Sequence, residues 1–327
     1  MGVGNFNRDF KIKTYCWERF VSISTTFLAP FRIEHYLVSR RFSIKPFSRP
    51  IRVILNEALP KFFSEVKWQT IDVVIPATSK DLAVLSVSVE SIFKFLLNPI
   101  GNFTVVCPAR DLELVSSVLS KNVNVVAEEN FLPQEILLTC RKVAPMARLG
   151  WTIQQAIKFY AALTTERIAV LVFDSDTVMV NHQGFLGIDG TQSLSISDEY
   201  HVPYQDHFRR FLAYEKVPSF PFSFVTHHQL MKKDVVKDFL RFDTFGIEGL
   251  SKWISLFDFI NFSPACEYHS YGTFLLHKHP DQVKLVAWGN KAISRESFDG
   301  ELTLKSVIDY LGKVQNKTKT VSLHSYL

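Results

Sequence analysis

The chain has 327 residues, 47% of them hydrophobic, with 29 phenylalanines and a formal net charge of +5. That is enough apolar chain for one large domain with an extension, and it excludes a small scaffold held together by disulfides or metal. Cys16, Cys107, Cys140 and Cys266 stand far apart with no Cys-x-x-Cys pair, which argues against a zinc framework and for a reducing, cytoplasmic setting.

Residues 1–66 come first and carry the excess charge. They hold 11 Lys and Arg against 5 Asp and Glu, whereas the remainder holds 26 against 27. Trp17, Phe20, Phe27, Phe31, Tyr36, Phe42 and Phe47 are interleaved with that charge. A basic, aromatic extension of this kind suits an anionic membrane surface, here the inner face of the plasma membrane. The alternative is that its aromatics pack on the main domain. The uncharged stretch 20–31 is too short to span a bilayer. No apolar core marks a signal peptide, and Phe6 stands where myristoylation of Gly2 needs Ser or Thr. No groove-reading or base-stacking motif accompanies the charge, so nucleic acid is not an expected partner.

From residue 71 the pattern is regular. "IDVVIPA" (71–77), "NFTVVCP" (102–108) and "NVNVVAE" (122–128) read as short buried strands. Helical spacing covers 81–97, with Asp81 as its cap, then 110–120 and 150–163. The apolar run "VLVFDSDTVMV" (170–180) reads as a fourth strand. This alternation predicts an α/β fold, a mainly parallel sheet flanked by helices. Beyond it come a polar loop (181–200), a helix (204–215), a strand (220–226), a helix (266–277), a strand (283–288) and a frayed tail (315–327). The expected units are the extension 1–66, a domain 67–300, and a C-terminal helix and tail 301–327.

Asp174 and Asp176 interrupt the fourth strand at its carboxyl end. Residues two apart in an extended chain project to one side, so both carboxylates face the crevice where such sheets bind ligands. Three readings fit Asp-x-Asp there. Both acids hold a divalent cation that neutralises a nucleotide diphosphate; or Asp174 is a phosphatase nucleophile of the haloacid-dehalogenase type, with Asp176 as acid/base; or the turn is purely structural. The phosphatase arrangement opens its domain and needs a later acidic pair at another strand end. Here three strand–helix units precede the motif and "KKDVVKD" (232–238) has its acids at helical spacing, which favours the transferase order.

"DVVIPATSKDL", "GWTIQQAIKFYAAL", "VLVFDSDTVMV", "SFVTHHQLM" and "EYHSYGTFLLHKHP" together resemble a family of largely uncharacterised bacterial glycosyltransferase-like proteins, over roughly residues 70–290. Many of its members accompany capsule or lipopolysaccharide synthesis. The plan is also similar to glycosyltransferases of the A-type fold. The resemblance implies a nucleotide-diphosphate sugar as donor, UDP-sugar favoured, with Mn²⁺ or Mg²⁺ and a saccharide or lipid-linked acceptor. It places Pro76 and Ala77 in the nucleotide pocket, and Arg148, Gln155 and Lys158 near the nucleotide or its phosphates; the alternative for these is a solvated helical face.

The same resemblance puts His227 and His228 beside the donor sugar and acceptor. Neighbours on a strand point oppositely, so at most one of the two is expected to enter the site. Glu267, at the start of its helix, resembles the general base acting on an acceptor hydroxyl, although the helix dipole alone also favours an acid there. His279 would complete a metal site with Asp174 and Asp176. The alternative enzyme is a phosphatase or nucleotidyltransferase using the same two aspartates; outside catalysis, the alternative is a polysaccharide-binding or membrane-surface protein that keeps the fold without turnover.

Overall fold

Ile71–Pro76, apolar but for Asp72, is buried along its whole length and forms β1 at the centre of a five-stranded sheet. The computed structural model describes residues 67–199, 201–213, 220, 222–298, 301–312 and 318–324. The expected extension 1–66 lies outside the described residues. β2 (Ile100–Cys107), β3 (Asn124–Ala127), β4 (Ala169–Phe173) and β7 (His228–Lys232) complete the sheet in the order β3-β2-β1-β4-β7. Only β7 is antiparallel, pairing Phe173 with His228. A strand covered on both faces must be apolar on both, and Val73, Val74, Leu171 and Val172 meet that requirement. The expected α/β class, a mostly parallel sheet flanked by helices, is what the structure shows.

One face carries α1 (Leu82–Phe95), α2 (Leu112–Val118) and, near the C-terminus, α9 (Leu304–Gly312). The other carries α3 (Gln134–Val143), α4 (Leu149–Thr164), α5 (Val202–Phe211), α6 (Lys233–Phe239), α7 (Glu248–Ser255) and α8 (Glu267–Lys278). Much of the aromatic surplus lies in this second layer. Phe159 meets Trp253 edge-on at 4.9 Å and Phe239 at 5.6 Å, and Phe239 also touches Phe211 and Phe274.

Four expectations need correction. The run 170–180 is not one strand: β4 ends at Phe173, a turn holds 174–176, and β5 (Thr177–Met179) leaves for a second sheet. The loop 181–200 contains β6 (Gln192–Ile196), which pairs in parallel with β8 (Val283–Ala287). Its alternation of polar and apolar residues over "QSLSI" was the available signal. In the segment expected as strand 220–226, the described residues hold a single bridge, Ser197 to Ser223, and the strand begins only at His228. The frayed tail is the largest miss. Its residues Thr320–His324 form β10, fully inside the second sheet between β5 and β9 (Asn290–Ser294).

Three buried histidines tie this fold to pH. His207, His228 and His269 are 0–3% exposed, and burial pushes them down to about 4, about 4 and about 3 from an ordinary 6.5. A folded-state pKa below the unfolded one means the unfolded chain takes up protons first. Stability is therefore full above about 6.5 and drains as pH falls toward 4. Urea unfolding is expected to show a loss of at least ~2 kcal/mol between about pH 7 and pH 5. A flat profile over that interval would overturn the assignment of these rings as neutral.

Candidate active site

The chain runs β1, β2, β3 to one side and then returns to place β4 on the other side of β1. The crevice between the carboxyl ends of β1 and β4 is the switch point at which open α/β sheets bind ligands. The Asp174–Ser175–Asp176 turn sits there. Ser175 Oγ donates to Asp81 Oδ2 (2.9 Å), and Arg295 donates to Asp81 Oδ1 (2.6 Å) and to the Leu323 carbonyl (2.8 Å). Asp81 thus locks the turn to the loop after β1 and to β10. It does not cap α1 with its side chain, as expected from sequence.

Asp174 is surrounded by donors. Lys158 Nζ (2.5 Å) and Tyr268 OH (2.8 Å) reach Oδ1, and His227 Nδ1 (3.0 Å) reaches Oδ2. Lys158 Nζ also donates to Glu267 Oε1 (2.6 Å) and lies 4.2 Å from the Tyr268 ring centre. One buried ammonium therefore serves two carboxylates. Burial works against the Asp174 charge, but Lys158 and His227 outweigh it and hold the carboxyl well below the usual range. Burial likewise opposes the Lys158 ammonium, and the charges of Asp174 and Glu267 hold it above its ordinary value. Glu267 is raised, by burial first, against the pull of Lys158.

His227 and His228 diverge, though not as the strand neighbours expected, because β7 begins only at His228. His227 has a left-handed backbone (φ 57°), uncommon for a residue with a Cβ. Its carbonyl accepts from the Asp174 amide at 2.9 Å while its ring turns to the Asp174 carboxylate. Strain of this kind persists only where the surroundings over-determine it. Burial opposes the His227 imidazolium, but the Asp174 hydrogen bond and charge, with Asp176 and Glu199 adding, raise its pKa. His228 faces the core between Phe173 and Phe185 (ring centres 5.3 and 5.4 Å), so it does not line the site.

Several other expected residues take different places. Glu267 is 1% exposed and engaged by Lys158, so it is not positioned to meet an acceptor hydroxyl itself. Gln155 is buried and its Oε1 accepts from the Glu267 amide (3.2 Å), satisfying one of the open donors at the start of α8. Gly272 lets that helix close down, because a Cβ there would stand 2.4 Å from the Phe224 ring. Arg148 is held between the rings of Trp151 and Phe262, at 4.4 and 4.0 Å from their centres. Pro76 and Ala77 are buried, with the Ala77 amide bonded to the Val106 carbonyl, so they shape the crevice floor through backbone.

His279 follows the last residue of α8, whereas Glu267 is the first. At about 1.5 Å per residue the two ends lie roughly 18 Å apart, which separates His279 from the acidic pair. The histidine that does stand beside Asp176 is His324, on β10, with Nδ1 at 3.2 Å from Oδ2. Its ring lies 5.7 Å from that of His227, which in turn lies 5.3 Å from Trp288. Tyr268 and His324 were missed from sequence, though "TVSLH" does alternate as a strand ending in histidine.

A donor set for a cation is thus Asp176 with His324, since Asp174 is already engaged by Lys158 and Tyr268 at Oδ1 and by His227 at Oδ2. Among the described residues no three His, Cys, Asp or Glu side chains converge as a metal site. Two protein donors still fit Mg²⁺ or Mn²⁺, which are commonly held by one or two side chains plus substrate phosphates.

A family model described as a family of unknown function, DUF6492, matches residues 68–191. No curated protein matches the chain. Among solved structures, the apo form of mouse xyloside xylosyltransferase 1 matches with 12% identity and a TM-score of 0.43, over 78% of this chain and 98% of that one.

Proposed function

We propose that the chain is a glycosyltransferase of the A-type plan, moving a sugar from a nucleotide-diphosphate donor to a saccharide or lipid-linked acceptor, as in surface polysaccharide synthesis. The observation that carries the reading is the Asp-Ser-Asp turn at the β1/β4 switch point, with His324 brought beside Asp176. Asp176 and His324 would hold Mn²⁺ or Mg²⁺; when bound, the ion supplies charge that steadies a departing diphosphate. Lys158 keeps Asp174 ionised and fixes Glu267 behind it. Asp174 in turn orients the His227 ring toward the crevice. Engagement of both Asp174 oxygens by Lys158, Tyr268 and His227 disfavours a covalent nucleophile at that position, which is what the phosphatase alternative requires.

Calorimetry of UDP binding tests this directly. Affinity is expected to rise at least about tenfold when Mn²⁺ replaces EDTA, a gain of about 1.4 kcal/mol. His324→Ala should abolish that gain, and His279→Ala should leave it intact. Equal affinity with and without the ion in the wild type would sink the metal-bridged reading.

A further inference from the structure

We infer that the site-bearing end of the molecule docks on a phospholipid bilayer through the loop tip that carries Ile260 and Phe262. This goes beyond the transferase reading and does not depend on it. Ile260 is 93% exposed, Phe262 74%, Met146 86% and Val202 56%, far above what isolated packing at a surface requires. They come from three separate segments gathered by Ser263. Arg148 donates to Ser263 Oγ (3.2 Å), and His201 Nε2 donates to the Ser263 carbonyl (3.0 Å). Met146 lies two residues before Arg148, Val202 follows His201, and Phe262 precedes Ser263. Exposed apolar side chains flanking one hydrogen-bonded junction suit an interaction surface.

The tip is built to project. Asp258 accepts from the Ile260 amide through Oδ1 and from the Asn261 amide through its carbonyl, both at 3.1 Å, making a tight turn. Arg148 braces the Phe262 ring from beneath. Basic side chains near the tip suit an anionic lipid surface, although Arg209 is itself paired with Asp206 at 4.0 Å. Arg141 and Lys142 are exposed at the end of α3, close in sequence to Met146. Beside the tip, Arg209 and Arg210 line a cavity of about 450 Å³ with Pro203 and Pro264, and the buried Arg210 Nε has no hydrogen-bond partner. Asp206 and Asp258 also line it. Apolar side chains that project singly enter acyl chains, while guanidinium and ammonium groups at their base meet phosphate headgroups.

The position has a consequence for access. Arg148 immediately precedes α4, whose start lies at the carboxyl end of the sheet, and Ser263 lies four residues before Glu267. Docking through this tip therefore turns the Asp174–Asp176 crevice toward the membrane.

The test is sedimentation of the full chain with vesicles of phosphatidylcholine and phosphatidylglycerol, without nucleotide sugar. Wild type should pellet with the vesicles. The double variant Met146→Asp/Ile260→Asp should partition at least about tenfold less, with an unchanged thermal melt because both side chains are exposed. Arg210→Gln should weaken binding less and flatten its salt dependence. Equal partition of wild type and double variant would overturn the inference and leave residues 1–66 as the anchor. So would a wild type that stays in the supernatant at low salt, or a double variant whose effect is to break a dimer in sedimentation velocity. Because no sugar donor enters the assay, its failure leaves the transferase reading standing, and a failed UDP titration leaves this one standing.

Discussion

Lys158→Met is expected to cost the fold about 3–5 kcal/mol at neutral pH, the range for stripping one partner from a buried ion pair. Lys158 is 4% exposed and is the only cation hydrogen-bonded to Glu267 among the described contacts. Its removal leaves the buried Glu267 and the partly exposed Asp174 as neighbouring anions. Glu267, already raised from 4.5 by burial, would rise further once the opposing cation is gone. A carboxyl with a raised folded-state pKa contributes stability below its unfolded value and loses it as pH climbs through the folded one. The deficit of the variant relative to wild type should therefore shrink on acidification. Adding Glu267→Gln to Lys158→Met should recover much of the loss at neutral pH. Urea unfolding of the four proteins of this cycle measures the coupling. If the single and double variants unfold alike, the charge of Lys158 is not what holds this region together.

Asp174→Asn and Asp176→Asn are expected to separate, although the two positions look equivalent in the sequence. Asp174 accepts from Lys158, Tyr268 and His227, so an amide there should cost about 2–3 kcal/mol of stability. Transfer should fall at least about a thousandfold, because the carboxylate that orients His227 is lost. Asp176 is 24% exposed in its side chain, and its ion partner among the described residues is His324. Asp176→Asn should leave the melting temperature nearly unchanged while removing the dependence of UDP binding on Mn²⁺. Thermal melts together with turnover of a UDP-sugar distinguish the two. Matching melts for both variants would contradict the structural role given to Asp174.

The membrane question divides between two surfaces. Residues 1–66 carry the net positive charge of the chain, whereas the Ile260–Phe262 tip carries its apolar projection at the crevice end. Binding through charge alone weakens steeply with salt, since the lipid field is screened within roughly 8–10 Å. Binding through the tip should persist in part. The vesicle comparison above therefore separates them by their salt dependence as well as by substitution.

The sequence by itself determined the sheet and the place of its chemistry. β1 and β4, at the centre of the sheet, are runs buried at every position and apolar but for Asp72, and a strand covered on both faces must be written that way whatever surrounds it. β2 and β3, toward the edge, are buried mainly at their carboxyl ends. The switch point followed from their order, and with it the position of Asp174 and Asp176. That His227 and His228 part company agrees with the strand alternation read from sequence, but the cause differs: β7 begins at His228, and His227 turns away through a left-handed backbone that no local pattern announces.

What only the tertiary structure decided are the partners of those residues, because each depends on contacts distant in the chain. Lys158 meets Glu267 across 109 residues, and His324 meets Asp176 across 148. No local pattern encodes such pairings. A lysine at helical spacing reads equally as a solvated face until α8 closes over it, which Gly272 permits by leaving room for Phe224. From sequence the C-terminal segment reads as frayed, because "TVSLH" is short and polar in part. It is buried only because β5 and β9 flank it on both sides, and that burial brings His324 to the site in place of His279.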